Sequence, residues 1–554
     1  MSHFRPRAEL ATHEVSNQPP PLEDYNLYEA DTALKEALHR HGAGWAEPHV
    51  SALGAELGQA DTLEHGRLAN VYPPVLKTFD RYGHRIDEAE FHPSYHHMMA
   101  LGMKHGQHSI PWEGRKGGHA AHAAMLYLTY QVEGGVCCPL TMTYAAMPAL
   151  KRQPEATELW RKGIVSREYD PRAIPPEQKT GLTVGMAMTE KQGGSDVRAN
   201  TTRAKPLGAG GPGGEYELTG HKWFCSAPMS DAFLTLAYTD EGLSCFLAPR
   251  WRPDGTRNPI QVQRLKDKLG NKSNASSEIE YHGAWAVMIG EDGRGVRTII
   301  DMVMHTRLDC TAGATALMRQ AVMQAAHHAE HRVAFQKKLS QQPLMRNVLA
   351  DLSVEQEAAT AMFMAVAQAY DDGMEDETAA AFARIAVSVS KYWANKRVSP
   401  LVAEAMECFG GAGYVEETIM PRLYREAPLN GIWEGSGNVI CLDVLRAMQR
   451  EPHALELFLK TLSDAKGRDR RLDAAIDGLA AEFARPEGIE TRARRIVEKM
   501  ALTWQGALLT AAAPSAVAEA FIASRLDGDW GNAFGTLPDG LDLQPMIDRA
   551  MPAA

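Results

Sequence analysis

The period of the hydrophobic positions changes twice along the chain, and each change predicts a different kind of element. Residues 22–172 run in stretches rich in Ala, Leu, Met and charge, as at 31–39 and 119–132. Pro73-Pro74 and Gly134-Gly135 break them, so this part reads as a series of helices ending near 171–176. From 183 to about 289 the runs are short and β-prone: 215–219, 233–238, 243–248, 260–264 and 278–281. Gly- and Asn-rich turns at 208–214 and 270–274 separate them, which predicts an all-β insert closed as a small barrel. After Gly295 the helical spacing returns, with Ile300, Val303, Met304 and Leu308, then Leu344, Val348 and Leu352. Two further helices are expected at 384–394 and 400–409, giving a bundle. Residues 445–554 add more helices, with a stripe of Val497, Met500, Trp504 and Leu508. The Gly-, Asp- and Pro-rich end, 527–554, is expected to be loosely ordered. The predicted class is α+β and mostly α, with units at 1–182, 183–295, 296–444 and 445–554.

Composition narrows this picture only a little. The chain has 554 residues and a formal net charge of -11, which argues against a surface basic all over but allows a local basic patch. Seven cysteines in an odd, non-C-x-x-C arrangement argue against a disulfide framework and fit a reducing, cytoplasmic setting. No run approaches the roughly 18–20 apolar residues of a membrane span, and none follows Arg5 and Arg7 as in a signal peptide. The histidines at 92, 96, 97, 327, 328 and 331 lack any ligand spacing, so no metal site is expected.

Four short segments carry candidate chemistry. The first, Ala187-Met188-Thr189-Glu190-Lys191-Gln192-Gly193-Gly194-Ser195-Asp196, pairs close-approach glycines with hydroxyls that can meet ring carbonyls or phosphate oxygens. The second, Gly220-His221-Lys222-Trp223-Phe224-Cys225-Ser226, offers a flat aromatic and a polar handle, and reads equally well as a strand with a core aromatic. The third, Glu407-Cys408-Phe409-Gly410-Gly411-Ala412-Gly413-Tyr414 with Arg422, Arg425 and Glu426, is no Rossmann fingerprint, because no strand precedes it. It reads as a helix end whose backbone packs on a ligand, a partner subunit or nothing but its own cap. In the fourth, Ile432-Trp433-Glu434-Gly435-Ser436-Gly437-Asn438, a carboxylate beside an aromatic is a candidate buried base.

Taken together, the first and third segments resemble the two signatures of the acyl-CoA dehydrogenase family. The order of helices, β-domain and helices agrees, over about residues 22–445. The extended N-terminus, the added C-terminal helices and the run Leu265-Lys266-Asp267-Lys268-Leu269-Gly270-Asn271 resemble the family's AidB-type adaptive-response branch. The resemblance implies FAD, held by Met188, Thr189, Ser195, Trp223, Phe224, Ser226, Arg332, Gly410, Gly411, Trp433, Ser436 and Asn438. It implies Glu434 as the base that removes the α-proton of an acyl-CoA thioester, with Arg307 beside the substrate. The other position used for a base in the family is Thr306 here, which cannot serve. One departure stands out: where the family places an FAD-contacting Gln eleven residues after Arg332, this chain has Pro343, with Gln342 one short.

The branch is also understood to bind double-stranded DNA through its added domain. That makes the clusters Lys466, Arg468, Arg470, Arg471 and Arg492, Arg494, Arg495 candidate phosphate contacts, although interleaved acids also fit an ordinary solvated surface. The expected function is an FAD protein of the DNA alkylation response with at most weak dehydrogenase activity. The alternatives are a working short- or branched-chain acyl-CoA dehydrogenase without a DNA role, and a flavin-binding structural protein. The resemblance further implies a homotetramer.

Overall fold

A computed structural model describes residues 7–552. The N-terminal part holds α1 (Thr32–Arg40), α2 (Glu47–Leu57), α3 (Ala60–Val71), β1 (Val75–Phe79), β2 (Arg85–Glu90), α4 (Pro93–Lys104), α5 (Gly118–Val132), α6 (Cys137–Leu150) and α7 (Glu158–Gly163). Every residue of α5 is buried, the polar His119, His122, Thr129 and Gln131 included, so the helix lies in the middle of the core rather than on its edge. Asp31 caps α1 by accepting from the Leu34 amide at 2.9 Å, and its other oxygen accepts from the Tyr127 hydroxyl of α5 at 2.7 Å. The hairpin β1–β2 is a correction to the all-helical expectation. Its two strands alternate exposed and covered positions around an Asp80–Gly83 turn, a signal too short to register beside the Pro73-Pro74 break.

The middle part is the expected barrel. Its strands are β3 (Val184–Ala187), β4 (Arg203–Pro206), β5 (Glu215–Ser226), β6 (Ala232–Tyr238), β7 (Leu243–Pro249), β8 (Ile260–Leu265) and β9 (Ser276–Ile289). Pairing runs β6-β4-β5-β9-β7 and returns to β6, with β3 added beside β6 and β8 beside β9. The closed circuit leaves only β3 and β8 with a single paired neighbour.

The remainder is helical: α8 (Gly295–His331), α9 (Pro343–Gly373), α10 (Glu377–Glu407), α11 (Met420–Glu426), α12 (Gly437–Arg450), α13 (Pro452–Ser463), α14 (Arg470–Phe483), α15 (Ala493–Ala512), α16 (Ser515–Phe521) and α17 (Gln544–Ala550). Helix α8 spans 37 residues, about 55 Å at 1.5 Å per residue, and packs on α5, α6, α9 and α10. Three expectations change here. The helices placed at 384–394 and 400–409 are one helix, α10, which runs through Pro400. The boundary placed between 444 and 445 falls inside α12. The end of the chain is docked, not loose. Trp530 Nε1 and the Gly535 amide donate to Asp351 of α9 at 3.0 and 2.8 Å, and Arg525 pairs with Glu355 at 3.0 Å. In α17, Met546, Ile547 and Ala550 are buried, and Arg549 donates to Glu357 at 2.6 Å and Glu36 at 2.8 Å. These anchors join residues 170 or more positions apart, which no local pattern could reveal. Among the described residues no helix is long and apolar enough to cross a membrane, and no group of His, Cys, Asp and Glu could hold a metal ion.

Candidate active site

Glu434 sits on the loop between α11 and α12, at a left-handed backbone angle (φ +57°) followed by Gly435 at +100°. Such an angle is uncommon for a non-glycine residue and marks a loop held by its surroundings. The turn aims the carboxylate at α8, where the Thr306 hydroxyl donates to Oε2 at 2.7 Å. Arg307, next along α8, donates through Nε to the Glu434 carbonyl at 3.1 Å and through Nη1 to Asp443 at 2.6 Å. Trp433 is pinned by its indole N–H donating to Asn430 Oδ1 at 2.7 Å. Burial pushes the Glu434 carboxyl above its usual range, while the Thr306 hydrogen bond and the charges of Lys391 and Arg307 pull it partly back. A carboxylate so placed accepts a proton more readily near neutral pH than an exposed one would.

The β-domain supplies the opposite side. Met188 and Trp433 pack against one apolar cluster that includes Cys138, Met142 and Met302, so the first and fourth segments border the same space. Cys138 links them further: its thiol is pushed up to about 12 by burial, with Ser226 and Asn274 among its polar neighbours and Glu434 among its charged ones. The loop that carries Met188 and Thr189 is anchored by Glu190, which is fully buried. Its carboxylate accepts from Lys222 Nζ at 2.8 Å, from the Thr202 hydroxyl at 2.6 Å and from the Thr201 amide at 2.6 Å. Glu190 is thus the residue of the first segment that fixes its shape, a role its neighbours in sequence do not disclose.

In the second segment a bulge in the β5–β9 pairing lies between Lys222 and Cys225. Cys225 points into the barrel core, which turns Phe224 and Ser226 outward. Trp223 carries the Lys266 ammonium over its ring at 3.2 Å to the centroid, whereas Phe224 is 48% exposed. Phe224 is therefore the more exposed ring of the pair, with the same ammonium 4.8 Å from its centroid. The Ser226 hydroxyl lies 3.2 Å from that of Ser276.

The third segment divides. Gly410 (φ +61°) and Gly411 are exposed, and a Cβ on either would meet no atom within 4 Å. Arg422 and Glu426 are structural. Arg422 donates to the Val132 carbonyl at 2.6 Å, and Glu426 accepts from the Asn271 amide at 2.9 Å, fastening α11 to the N-terminal helices and the barrel. Arg332, at the end of α8, donates to the Asn17 carbonyl at 2.5 Å, so the N-terminal lead-in already holds it. Gln342 is likewise engaged locally, donating to the Ala334 carbonyl at 3.1 Å.

The expected phosphate contacts of the C-terminal helices are mostly paired within the chain. Arg471 binds Asp469 and Glu519 at 2.7 and 2.6 Å, Lys466 binds Asp477 at 2.5 Å, and Arg494 Nε donates to the Tyr392 hydroxyl at 3.2 Å. Arg468 donates to the Ala507 carbonyl at 3.4 Å, and Arg470 is exposed. Arg492 and Arg495 share Glu482 with Arg485 and Lys499, at 2.6, 3.4, 3.0 and 2.7 Å. The Lys499 hydrogen bond and the other cations hold the Glu482 carboxyl down to about 2.

A helical bundle and a barrel that together frame a half-buried carboxylate and an exposed aromatic define an acyl-CoA dehydrogenase fold. The chain belongs to the acyl-CoA dehydrogenase family, in its AidB-like branch. Residues 17–171 match the adaptive response protein AidB N-terminal domain, 185–284 the acyl-CoA dehydrogenase middle domain and 293–449 the acyl-CoA dehydrogenase C-terminal domain. It is 46% identical to AidB of Escherichia coli strain K12, over 93% of this chain and 95% of that one. It is similar to the solved structure of Caenorhabditis elegans ACDH-11 in complex with C11-CoA, with TM-score 0.84, 29% identity and 94% of each chain covered. It shares its fold with a Bacillus anthracis acyl-CoA dehydrogenase complexed with FAD, with TM-score 0.60, 18% identity, and 87% and 82% covered.

The family is one of FAD-dependent oxidoreductases, and the residues present fit that cofactor. Thr189 is half-exposed and Ser195 and Asn438 are exposed, so their polar groups are open to a ligand. Ser436 begins α12 without capping its amides through the side chain, leaving a helix N-terminus suited to an anion. The open space at Gly410 and Gly411 admits a ligand against the backbone.

Proposed function

We propose that this protein oxidises an acyl-CoA thioester, with Glu434 as the base. Its placement against Thr306, on a loop bordering the β-domain, is the observation that carries the reading. The Glu434 carboxylate removes the α-proton, whose acidity comes from the thioester carbonyl. Bound FAD supplies the acceptor for the hydride that leaves the β-carbon. Arg307 holds the loop backbone, and Phe224, Ser226, Met188, Thr189, Ser195, Trp433, Ser436 and Asn438 line the cofactor space. Trp223 packs edge-on against Phe224, and Arg332, Gly410 and Gly411 would contact the distal half of the cofactor. The C11-CoA held by the C. elegans relative supports a thioester as the ligand class. Mixing the holoprotein with butyryl-CoA or isovaleryl-CoA anaerobically tests this. Bleaching of the flavin that is lost in Glu434→Gln supports it, and bleaching unchanged in that variant refutes it.

A second reading, association with double-stranded DNA in an alkylation response, is favoured by the cations around Glu482. Four cations share that one carboxylate, and Arg485 and Arg495 keep side-chain exposures of 66% and 68%. Such a patch suits a phosphate backbone without reading sequence. Removing the C-terminal helices would not test it, because Trp504 and the docked tail belong to the core. The test is Arg485→Glu with Arg495→Glu in the full chain, titrated with duplex DNA at rising salt. The expected result is weaker binding and a shallower salt slope, by about 0.9 per lost phosphate contact. Unchanged binding refutes this surface. The exposed apolar side chains of Phe335, Leu344 and Tyr414 are available for burial in the proposed homotetramer.

A further inference from the structure

Lys391 lies in the middle of α10 and is 1% exposed. Its neighbours Val387, Ser388, Val389, Ser390 and Tyr392 are all buried, so the ammonium has been carried into the interior of the bundle. Removing such a group from water costs several kcal/mol unless its donors are satisfied. No carboxylate among the described residues forms an ion pair with it. Its three donors go to three carbonyls of one loop: Asn430 at 3.1 Å, Trp433 at 2.8 Å and Gly435 at 2.7 Å. The carbonyl between the last two, that of Glu434, accepts from Arg307. Three consecutive carbonyls, at 433, 434 and 435, are thus held by two buried cations approaching from α10 and α8. They bracket the residue whose backbone is in the left-handed region.

That conformation is disfavoured by about 1 kcal/mol or more for an L-residue. Relaxing it would swing the carboxylate away from Thr306. A hydrophobic side chain at 391 would fill the same volume but leave the three carbonyls unpaired and the loop free to relax. The position of the ammonium also gives it a second effect. It adds positive charge near the Glu434 carboxylate without neutralising it by direct contact, which favours the proton-free form that a base needs.

We propose that Lys391 is a positioning residue for the Glu434 base: it clamps the carbonyls on either side of Glu434 and so fixes where the carboxylate points. The proposal rests on the reading of Glu434 as the base. Burial lowers the Lys391 ammonium to about 8, and the contacts with the loop keep it in use as a donor at neutral pH.

The test uses FAD-loaded protein carrying Lys391→Met, with Lys391→Arg as the conservative variant. A 3-thia-acyl-CoA, whose α-proton can be removed without hydride transfer, reports the base through the long-wavelength absorption of its complex with flavin. In Lys391→Met that band is expected to rise with pH at a midpoint about one unit above wild type, because the nearby positive charge is gone. Bleaching by butyryl-CoA is expected to slow by about 100-fold, the effect of an ångström-scale misplacement, with thioester affinity nearly unchanged. Lys391→Arg should recover part of the rate and return the midpoint. A slowed rate with an unmoved midpoint and no recovery in Lys391→Arg would mean a merely structural lysine and overturn the proposal. If wild type shows neither band nor bleaching, the reading of Glu434 as the base fails on its own. The clamp is then decided by amide hydrogen exchange of residues 430–437: at least tenfold faster exchange in Lys391→Met supports it, and unchanged exchange overturns it.

Discussion

Replacing Thr306 with valine keeps the shape of the side chain and removes the donor 2.7 Å from Glu434 Oε2. The hydroxyl has one proton to give, and the Val303 carbonyl at 2.9 Å is an alternative acceptor within the helix whose loss leaves the fold intact. A hydrogen bond to a charged acceptor contributes about 1.5–3 kcal/mol, and each 1.36 kcal/mol corresponds to about one pKa unit. That bond favours the ionised carboxylate, so its loss raises an already raised pKa further. The base acts only when proton-free. The rate of flavin bleaching by a saturating thioester therefore rises with pH through this pKa, and in Thr306→Val the rise moves to higher pH. Well below the midpoint the variant is slower by about 10- to 100-fold, and the two enzymes converge at high pH. Stopped-flow absorbance between pH 5 and 9 reads this directly. A variant slower by the same factor at every pH would refute the reasoning, because it would mean that Thr306 shapes the pocket rather than tuning the carboxylate.

Other consequences follow from buried charges away from the base. Glu190→Ala leaves Lys222 alone in the barrel, which costs about 3–5 kcal/mol and frees the 188–201 loop; the variant should unfold at lower denaturant and lose FAD on gel filtration, and unchanged retention would contradict the anchoring role. Asp351→Ala strips the acceptor for Trp530 and Gly535 and should release the tail to protease, whereas equal resistance would contradict its docking. Burial raises the Glu426 carboxyl to about 7, from an unfolded value near 4.5. The folded state therefore binds the extra proton, and stability is full below pH 4.5 and falls as pH rises through 7. Glu426→Gln should flatten that fall in chemical denaturation between pH 5 and 8, and an unchanged slope would show that the carboxyl is not the cause.

The parts of the molecule that follow a short-range rule were legible before any coordinates. Short β-prone runs between Gly- and Asn-rich turns marked the barrel strands, and the i, i+3, i+4 spacing from Ile300 marked α8. Glu434 was a candidate as a carboxylate beside Trp433 in a Gly-rich loop, and the family resemblance implied its role as base. Its activating partners did not stand out: Thr306 lies 128 positions away and Lys391 is a single cation among small and apolar residues. The same limit explains the basic clusters. Arg492 and Arg495 read as free charges, yet Glu482, one helix earlier, folds back against both. Trp223 and Phe224 could not be ranked by sequence, because a bulge in β5 decides which ring is open.

The proposed function rests on a half-buried carboxylate at 434 taking a proton from a thioester beside a flavin. The most direct measurement is anaerobic absorbance of the yellow holoprotein, wild type and Glu434→Gln at equal flavin content, after addition of butyryl-CoA. The account predicts bleaching in wild type and a persistent oxidised spectrum in Glu434→Gln. Equal bleaching in both, or none in wild type with any acyl-CoA tried, would contradict it.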